Sequence, residues 1–152
     1  MTYLKRAKQL LKDVKVEGCL IHEIVDLEKH LGIYLPEAYK EFLLWMGKDP
    51  NIFLRGSEVE YEHLVKIQGW ANEILQERGF QNLPDNAFVF YIHQGYQFCY
   101  FLLDSNEDPK VYFFDESITK GVESLEVPYS QWLTTEAEIH CQYQRAENYE
   151  LN

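Results

Sequence analysis

The side chains that most often carry chemistry are present in this chain, but their spacing matches no metal site. The five histidines form no His-Glu-x-x-His pair and no ligand cluster with cysteine; they are His22, His30, His63, His93 and His140. The adjacent His140 and Cys141 would point to different faces of a helix, which makes them a poor chelating pair. The sequence therefore predicts no metal site.

One segment has the oxygen spacing of a calcium-binding loop. Asp104, Asn106 and Asp108 alternate, and Asp115 takes the twelfth position of that count. Pro109, however, occupies the sixth position, where such loops need glycine, and the flanking segments read as strands instead of helices. A turn between two strands is the better interpretation of this segment.

Nucleophiles and cofactor motifs give an equally weak signal. Cys99 and His93 have the right types for nucleophilic catalysis, but Cys99 falls inside an aromatic strand, where desolvation would raise its pKa and leave it inert. The other two cysteines, Cys19 and Cys141, are distant in sequence, so we interpret all three as small hydrophobic side chains without a disulfide framework. No nucleophile-elbow, P-loop or dinucleotide-binding glycine motif occurs. The sequence predicts neither an enzyme nor a cofactor.

Hydrophobic periodicity indicates the elements that must position any site. Apolar residues at helical spacing predict helices over 3–15, 22–31, 36–46 and 58–78, and a last helix from Pro128. The first of these has a basic outer face, which is compatible with a membrane surface but more typical of a helix packed on its own domain. The polar tail, residues 148–152, is expected to fray.

The middle of the chain has the texture of a sheet. Residues 87–92, 96–103 and 111–114 are rich in aromatic and β-branched side chains and are separated by short turns. They are apolar at nearly every position, which predicts an antiparallel meander covered on both faces. Together with the helices, this pattern predicts one α+β domain over residues 1–152, with a mostly antiparallel sheet.

Charge is distributed unevenly along the chain. The net charge is −11, yet residues 1–48 are nearly balanced, while residues 49–152 contain 18 acidic and six basic side chains. Such a surface repels phosphate backbones and disfavours direct nucleic-acid binding, but it attracts a basic protein.

The sequence contains neither an 18-residue apolar run nor a secretory signal pattern, which predicts a cytoplasmic protein without a membrane partner.

A set of ordered landmarks over roughly residues 20–135 resembles the SUKH superfamily, which includes the yeast Smi/Knr cell-wall regulator and many bacterial immunity proteins. The most specific segment is Leu35-Pro36-x-x-Tyr39-Lys40-x-Phe42-Leu43. It follows Ile24-x-x-Leu27-Glu28-x-x-Leu31-Gly32 and precedes a turn with Gly95, then Asp104, Pro109-x-Val111-Tyr112 and Tyr129-Ser130-x-Trp132-Leu133. The family often has Asn-Gly-Gly after the third helix, whereas this chain has Trp45-Met46-Gly47-Lys48.

The resemblance implies an α+β fold with helices around the sheet and a role as an immunity protein that neutralises a cognate toxin, commonly a nuclease. The alternatives are a regulatory or scaffolding module unrelated to a toxin and, less favoured, an enzyme of unknown type. The sequence leaves the oligomeric state open. From charge and position, we expect the partner-binding residues among the acidic and aromatic side chains of loops and strand ends: Glu58, Glu60, Glu62, Tyr91, His93, Tyr96, Asp104, Glu107, Asp108, Asp115 and Glu116.

Overall fold

The computed structural model describes residues 2–117 and 121–151, with side chains as far as residue 147. Three helices come first: α1 (Lys5–Leu10), α2 (Ile21–Leu31) and α3 (Glu37–Met46). A short strand and a long helix follow, β1 (Ser57–Glu58) and α4 (Leu64–Glu77). The chain then forms β2 (Ala87–His93), β3 (Gln97–Leu102), β4 (Lys110–Asp115) and β5 (Glu123–Pro128), and ends in α5 (Tyr129–Leu151).

The five strands form one antiparallel sheet in the order β1-β2-β3-β4-β5. This confirms the predicted α+β fold and meander, and adds a strand at each edge. In the central pair, Phe98 lies opposite Phe114 and Cys99 opposite Phe113. Because successive side chains of a strand alternate between the faces, this register sends Phe98 and Cys99 to opposite faces of the sheet.

Helices cover both faces of the sheet, as the continuous apolar strands predicted. On one face, the Tyr39 ring of α3 lies 5.4 Å from Phe101, and the Trp132 ring of α5 lies 4.9 Å from Phe90. On the other face, α4 packs against β2, where the Gln68 amide exchanges hydrogen bonds of 2.7 and 2.8 Å with the backbone of Val89. We call these the α5 face and the α4 face.

Two predicted helices were too long, and in both cases backbone pairing explains the difference. The helix expected over 3–15 ends at Leu10, and the chain beyond it leads into a bridge in which the Glu17 N–H donates to the Asp49 carbonyl. The helix expected over 58–78 begins only at Leu64, because Ser57 and Glu58 pair with β2. Propensity was overridden by tertiary contacts at both places.

The strand β5 was not predicted, because its sequence lacks the apolar texture of the other strands. Glu123, Glu126 and Pro128 are exposed, and the strand forms an edge of the sheet. Its register with β4 shifts between Lys110 and Tyr112, and Glu126 has a φ of 56°. Such irregularities and a terminal proline are typical of an edge strand that is protected from pairing with another chain.

The buried apolar side chains form one core that includes Ala7 of α1 and the two residues that flank this helix, Leu4 and Leu11. The structure describes no side chains after residue 147 and no backbone at Asn152. The expected fraying of residues 148–152 therefore lies outside the described part of the chain. Within the described part, no helix is both long enough and apolar enough to cross a membrane.

Candidate functional site

The eleven side chains expected to bind a partner divide between the two ends of the sheet. The register places the β3–β4 turn, with Asp104, Glu107 and Asp108, at one end of β3. The other eight lie toward the opposite end of β3. Five of them are at or beside the β2–β3 turn, and the other three, Glu58, Glu60 and Glu62, lie on β1 or in the segment after it. At about 3.3 Å per residue, the six residues of β3 separate the two groups by roughly 17 Å.

At the β3–β4 end, two of the acids complete the first turns of two helices. The Glu37 N–H at the start of α3 donates to the Glu107 carboxylate over 2.9 Å, and the Ala38 N–H donates to the Glu107 carbonyl. At the start of α5, the Ser130 N–H donates to Asp108 over 2.9 Å, and the Ser130 hydroxyl donates to the other oxygen. These contacts satisfy amides that a helix start leaves unpaired and place negative charge where the helix dipole favours it.

The third acid of this end, Asp104, shapes the turn itself. The Asn106 N–H donates to the Asp104 carboxylate over 3.1 Å, and the Asp108 N–H donates to the Asn106 side chain over 3.0 Å. These bonds are the local side-chain turns typical of Asp and Asn. The oxygens with calcium-like spacing therefore belong to a hairpin turn, as the sequence predicted.

At the β2–β3 end, aromatic rings and a histidine lie together on the α5 face. The Ser57 hydroxyl and His93 Nδ1 form a hydrogen bond of 2.9 Å across the β1–β2 pair. The His93 ring stacks parallel to Tyr91 with centroids 6.2 Å apart, and Tyr96 contacts it edge-on at 5.7 Å. The structure thus brings three of the expected side chains into one contact group.

Asp115 and Glu116, at the end of β4, border this group. The Asp115 carboxylate accepts hydrogen bonds from the Ser117 side chain and N–H and from the Gln97 amide, and these bonds lower its pKa below its usual value. Glu116 forms an ion pair with Arg78 at the end of α4. Asp115 thus carries a stable negative charge at the β2–β3 end.

A third group follows β1 at the edge of the sheet. The ligand atoms of Glu58, Glu60 and His63 lie within 4.8 Å of one another, a grouping that the sequence spacing did not indicate. His63 Nε2 lies 3.4 Å from both Glu58 and Glu62, and the Val59 N–H donates to Glu60. In this partly exposed group, three carboxylates surround one histidine.

A groove of about 400 Å³ opens on the α5 face between the strands and α5. Its walls are mainly aromatic and aliphatic, with a few polar side chains, and we call it the α5 groove. The residues that line it are Tyr91, Gln97, Cys99, Phe113, Leu125, Val127, Trp132, Thr135 and Glu136. Of these, only Tyr91 was expected from the sequence, so the groove extends the group around His93 toward β5.

Glu136 is the unusual residue of the α5 groove. Among the residues that the structure describes, none donates a hydrogen bond to its carboxylate or forms an ion pair with it. Burial raises its pKa above the usual 4.5. Burial also raises the pKa of Tyr91 to about 12, and the proximity of the Glu136 carboxylate contributes to that shift. A partly buried acid thus faces an apolar wall, with no partner among the described residues.

Cys99 forms part of the wall of the groove. Its side chain is 2% exposed, and burial raises the pKa of its thiol far above the usual range, as its place in an aromatic strand predicted.

A signal for Glu136 was present in the sequence. Tyr129, Trp132, Leu133 and Ala137 form the buried stripe of α5, and Glu136 lies four residues after Trp132 on the same side. An acid on the inner stripe of an amphipathic helix is uncommon enough to be informative. The contributions of Phe113, Leu125 and Val127 could not be found in this way, because they depend on the position of β5.

A further apolar surface lies on α2 and α3, remote in sequence from the α5 groove. Ile21 is 72% exposed and lines a surface depression together with Val25 and Leu44, and the preceding Leu20 is 57% exposed. Exposed apolar groups of this kind often contact other proteins.

The profile of the SMI1 / KNR4 family (SUKH-1) matches residues 18–131 of the chain. The chain belongs to this family. The matched segment contains α2, α3, α4 and the whole sheet, and it ends just inside α5. Trp132 and Glu136 lie beyond it. No curated protein matched the chain.

Proposed function

We propose that this SUKH-1 protein is an immunity protein that binds a cognate protein toxin and neutralises it by stoichiometric inhibition. The superfamily that the sequence resembles includes many bacterial immunity proteins, which supports a role in binding over catalysis. The toxin that fits the charge is a nuclease, because an enzyme that cuts nucleic acid needs a basic cleft. An acidic protein can occupy such a cleft and associate with it rapidly.

The observation that carries this proposal is the placement of the acid excess. The 18 acidic and six basic residues of 49–152 belong to the segment that forms the sheet, α4 and α5. The residues before it, which form α1, α2 and α3, are nearly balanced. A cationic partner would therefore be attracted to the sheet side of the domain.

We place the contact at the β2–β3 end and the neighbouring edge of the sheet. This surface contains Glu58, Glu60, Glu62, Tyr91, His93, Tyr96, Asp115 and Glu116, and it adjoins the α5 groove. Its aromatic side chains would supply desolvated contacts, and its acids would supply complementary charge. Asp104, Glu107 and Asp108 are assigned to the turn and to the helix starts, outside the contact.

The test is co-expression with candidate toxin domains encoded by the neighbouring genes, scored by growth rescue and by co-purification in a 1:1 complex. Reversal of three acids by Glu58→Lys, Glu60→Lys and Glu62→Lys should weaken the complex by at least about tenfold at low salt. The matched control reverses three exposed acids elsewhere, Glu73→Lys, Glu77→Lys and Asp85→Lys, with the same change of net charge. Equal affinities of the two triple variants would remove the β1 acids from the contact.

A regulatory or scaffolding module is the second candidate, and the apolar surface of α2 and α3 favours it. A partner that docks there would be recognised by apolar contact and would be insensitive to the acids of the sheet. Ile21→Lys should abolish such binding while it leaves toxin neutralisation intact. Loss of toxin binding in Ile21→Lys, together with full binding by the Glu58, Glu60 and Glu62 reversal, would favour this surface over the sheet.

A further inference from the structure

We propose that the α5 groove receives a lysine or arginine side chain of the bound protein, with Glu136 as its counter-charge. This inference rests on the proposed function, since it names the group that a toxin would insert. The inference names one pocket and one kind of side chain. The acid excess alone would attract a basic protein but would not determine how that protein docks.

The shape and lining of the groove fit a long cationic side chain. Apolar walls formed by Phe113, Leu125 and Val127 match the aliphatic stem of lysine or arginine, which commonly lies along apolar surface while its charged head reaches a polar site. Tyr91 and Trp132 contact each other edge-on with centroids 5.4 Å apart, so both rings stand at the same wall. Aromatic rings in this position attract a cation through their π faces.

The charge of the groove disfavours the simpler alternative of an apolar occupant. A neutral group that fills the groove would bury the Glu136 carboxylate further without pairing it, and an unpaired buried charge is costly. A cation removes this cost. The Gln97 side chain, which also lines the groove, donates a hydrogen bond to the Asp115 carboxylate, which places a second acid next to the groove lining.

A structural role does not account for the acid. Within the described part of the chain, Glu136 has no protein partner, and it lies on the buried stripe of α5 between Leu133 and Ala137. An uncharged side chain of similar size would satisfy the packing without the desolvation cost. Glu138, two residues further along the same helix, is exposed and offers a matched control with the same chemistry.

The first arm of the test uses the protein alone with small probes. N-acetyl-arginine methylamide is titrated into the isotope-labelled chain and followed by NMR, with the uncharged N-acetyl-citrulline methylamide as control. We expect saturable shifts confined to the groove, including the Trp132 indole, that are larger for the arginine probe and lost in Glu136→Gln but kept in Glu138→Gln. Equal shifts with both probes, or shifts unaffected by Glu136→Gln, would overturn the assignment.

The second arm measures the complex with the neighbouring toxin domain. Glu136→Gln should weaken binding by at least about tenfold, as expected when one member of a desolvated charge pair is removed, whereas Glu138→Gln should bind like the parent. Equal affinities of the two variants would contradict the inference even if the toxin is neutralised. If the toxin domain does not bind at all, the proposed function fails, and the probe titration still decides the chemistry of the groove.

Discussion

Carboxylates at the β3–β4 end of the sheet and the carboxylate in the α5 groove have opposite surroundings. Glu107 and Asp108 accept hydrogen bonds from the first amides of α3 and α5, so their charge is used within the fold. Glu136 faces apolar walls without a partner among the described residues, and burial raises its pKa. Acidic residues that look equivalent in the sequence thus divide into groups that hold the fold together and groups available to another molecule.

The number of acidic residues in the chain therefore does not measure the size of a binding surface. A carboxylate at a helix start gains from the dipole and from amides that would otherwise be unpaired, so its replacement should cost stability. A carboxylate in a partly apolar groove loses hydration without compensation, so its replacement should add stability. Replacement at the helix starts should therefore lower stability and leave partner affinity unchanged. Replacement in the groove should raise stability and weaken partner affinity.

The largest effect should come from Asp108→Ala. It removes two hydrogen bonds to Ser130 and leaves the first turn of α5 without its acidic partner, which should lower the free energy of unfolding by about 2 kcal/mol. Chemical denaturation measures this loss, and toxin affinity should remain unchanged at temperatures where the variant is folded. An undiminished stability would show that the contact does not support α5.

A smaller effect of opposite sign is expected for Glu136→Gln. Removal of a partly buried, unpaired charge should raise the free energy of unfolding at pH 7 by about 0.5–1 kcal/mol, the usual size of a single stabilising substitution. The same variant should bind the partner more weakly, so denaturation and affinity measurements move apart. Glu138→Gln, at an exposed position, should change neither, and a destabilised Glu136→Gln would reveal a structural role for the acid.

The pH dependence of stability should distinguish the parent from Glu136→Gln. Because burial raises the pKa of Glu136 above 4.5, the folded protein holds this proton to a higher pH than the unfolded chain does. The stability contributed by the group is therefore present at low pH and is lost as pH rises from about 4.5 through the folded-state pKa. Tyr91 does not titrate in this window, since its pKa is about 12. Parallel profiles of the two proteins from pH 4 to pH 8 would contradict the assignment.

The smallest effect is expected for Asp104→Ala. Asp104 is exposed and accepts one bond from the Asn106 N–H within its own turn, so its loss should change the free energy of unfolding by no more than about 0.5 kcal/mol. Asp104→Asn keeps an acceptor and is the matched control. A cost as large as that of Asp108→Ala would mean that the whole turn, and not the helix contacts alone, stabilises this end of the sheet.

Much of the fold could be predicted because its signals are local. Pro36 at the start of α3 and the left-handed Gly32 at the end of α2 mark helix boundaries, and the aromatic runs of β2, β3 and β4 indicate strands. The ordered landmarks around Leu35-Pro36-x-x-Tyr39 identified the family, which the profile match confirms. Of the α5 groove, only Tyr91 was expected, whereas the acids and aromatic side chains at strand ends were expected because strand ends and turns are visible in the pattern.

The α+β class, the family and the acid excess of residues 49–152 can be read from the amino-acid order alone, because they depend on periodicity, ordered motifs and composition. The folded chain was needed to see that β1 and β5 join the sheet, that Glu107 and Asp108 accept bonds from two helix starts, and that Glu136 faces a groove. An edge strand forms only where a neighbouring strand pairs with it, and the role of a carboxylate depends on the groups that contact it. Both come from distant parts of the chain, which no local pattern of residues records.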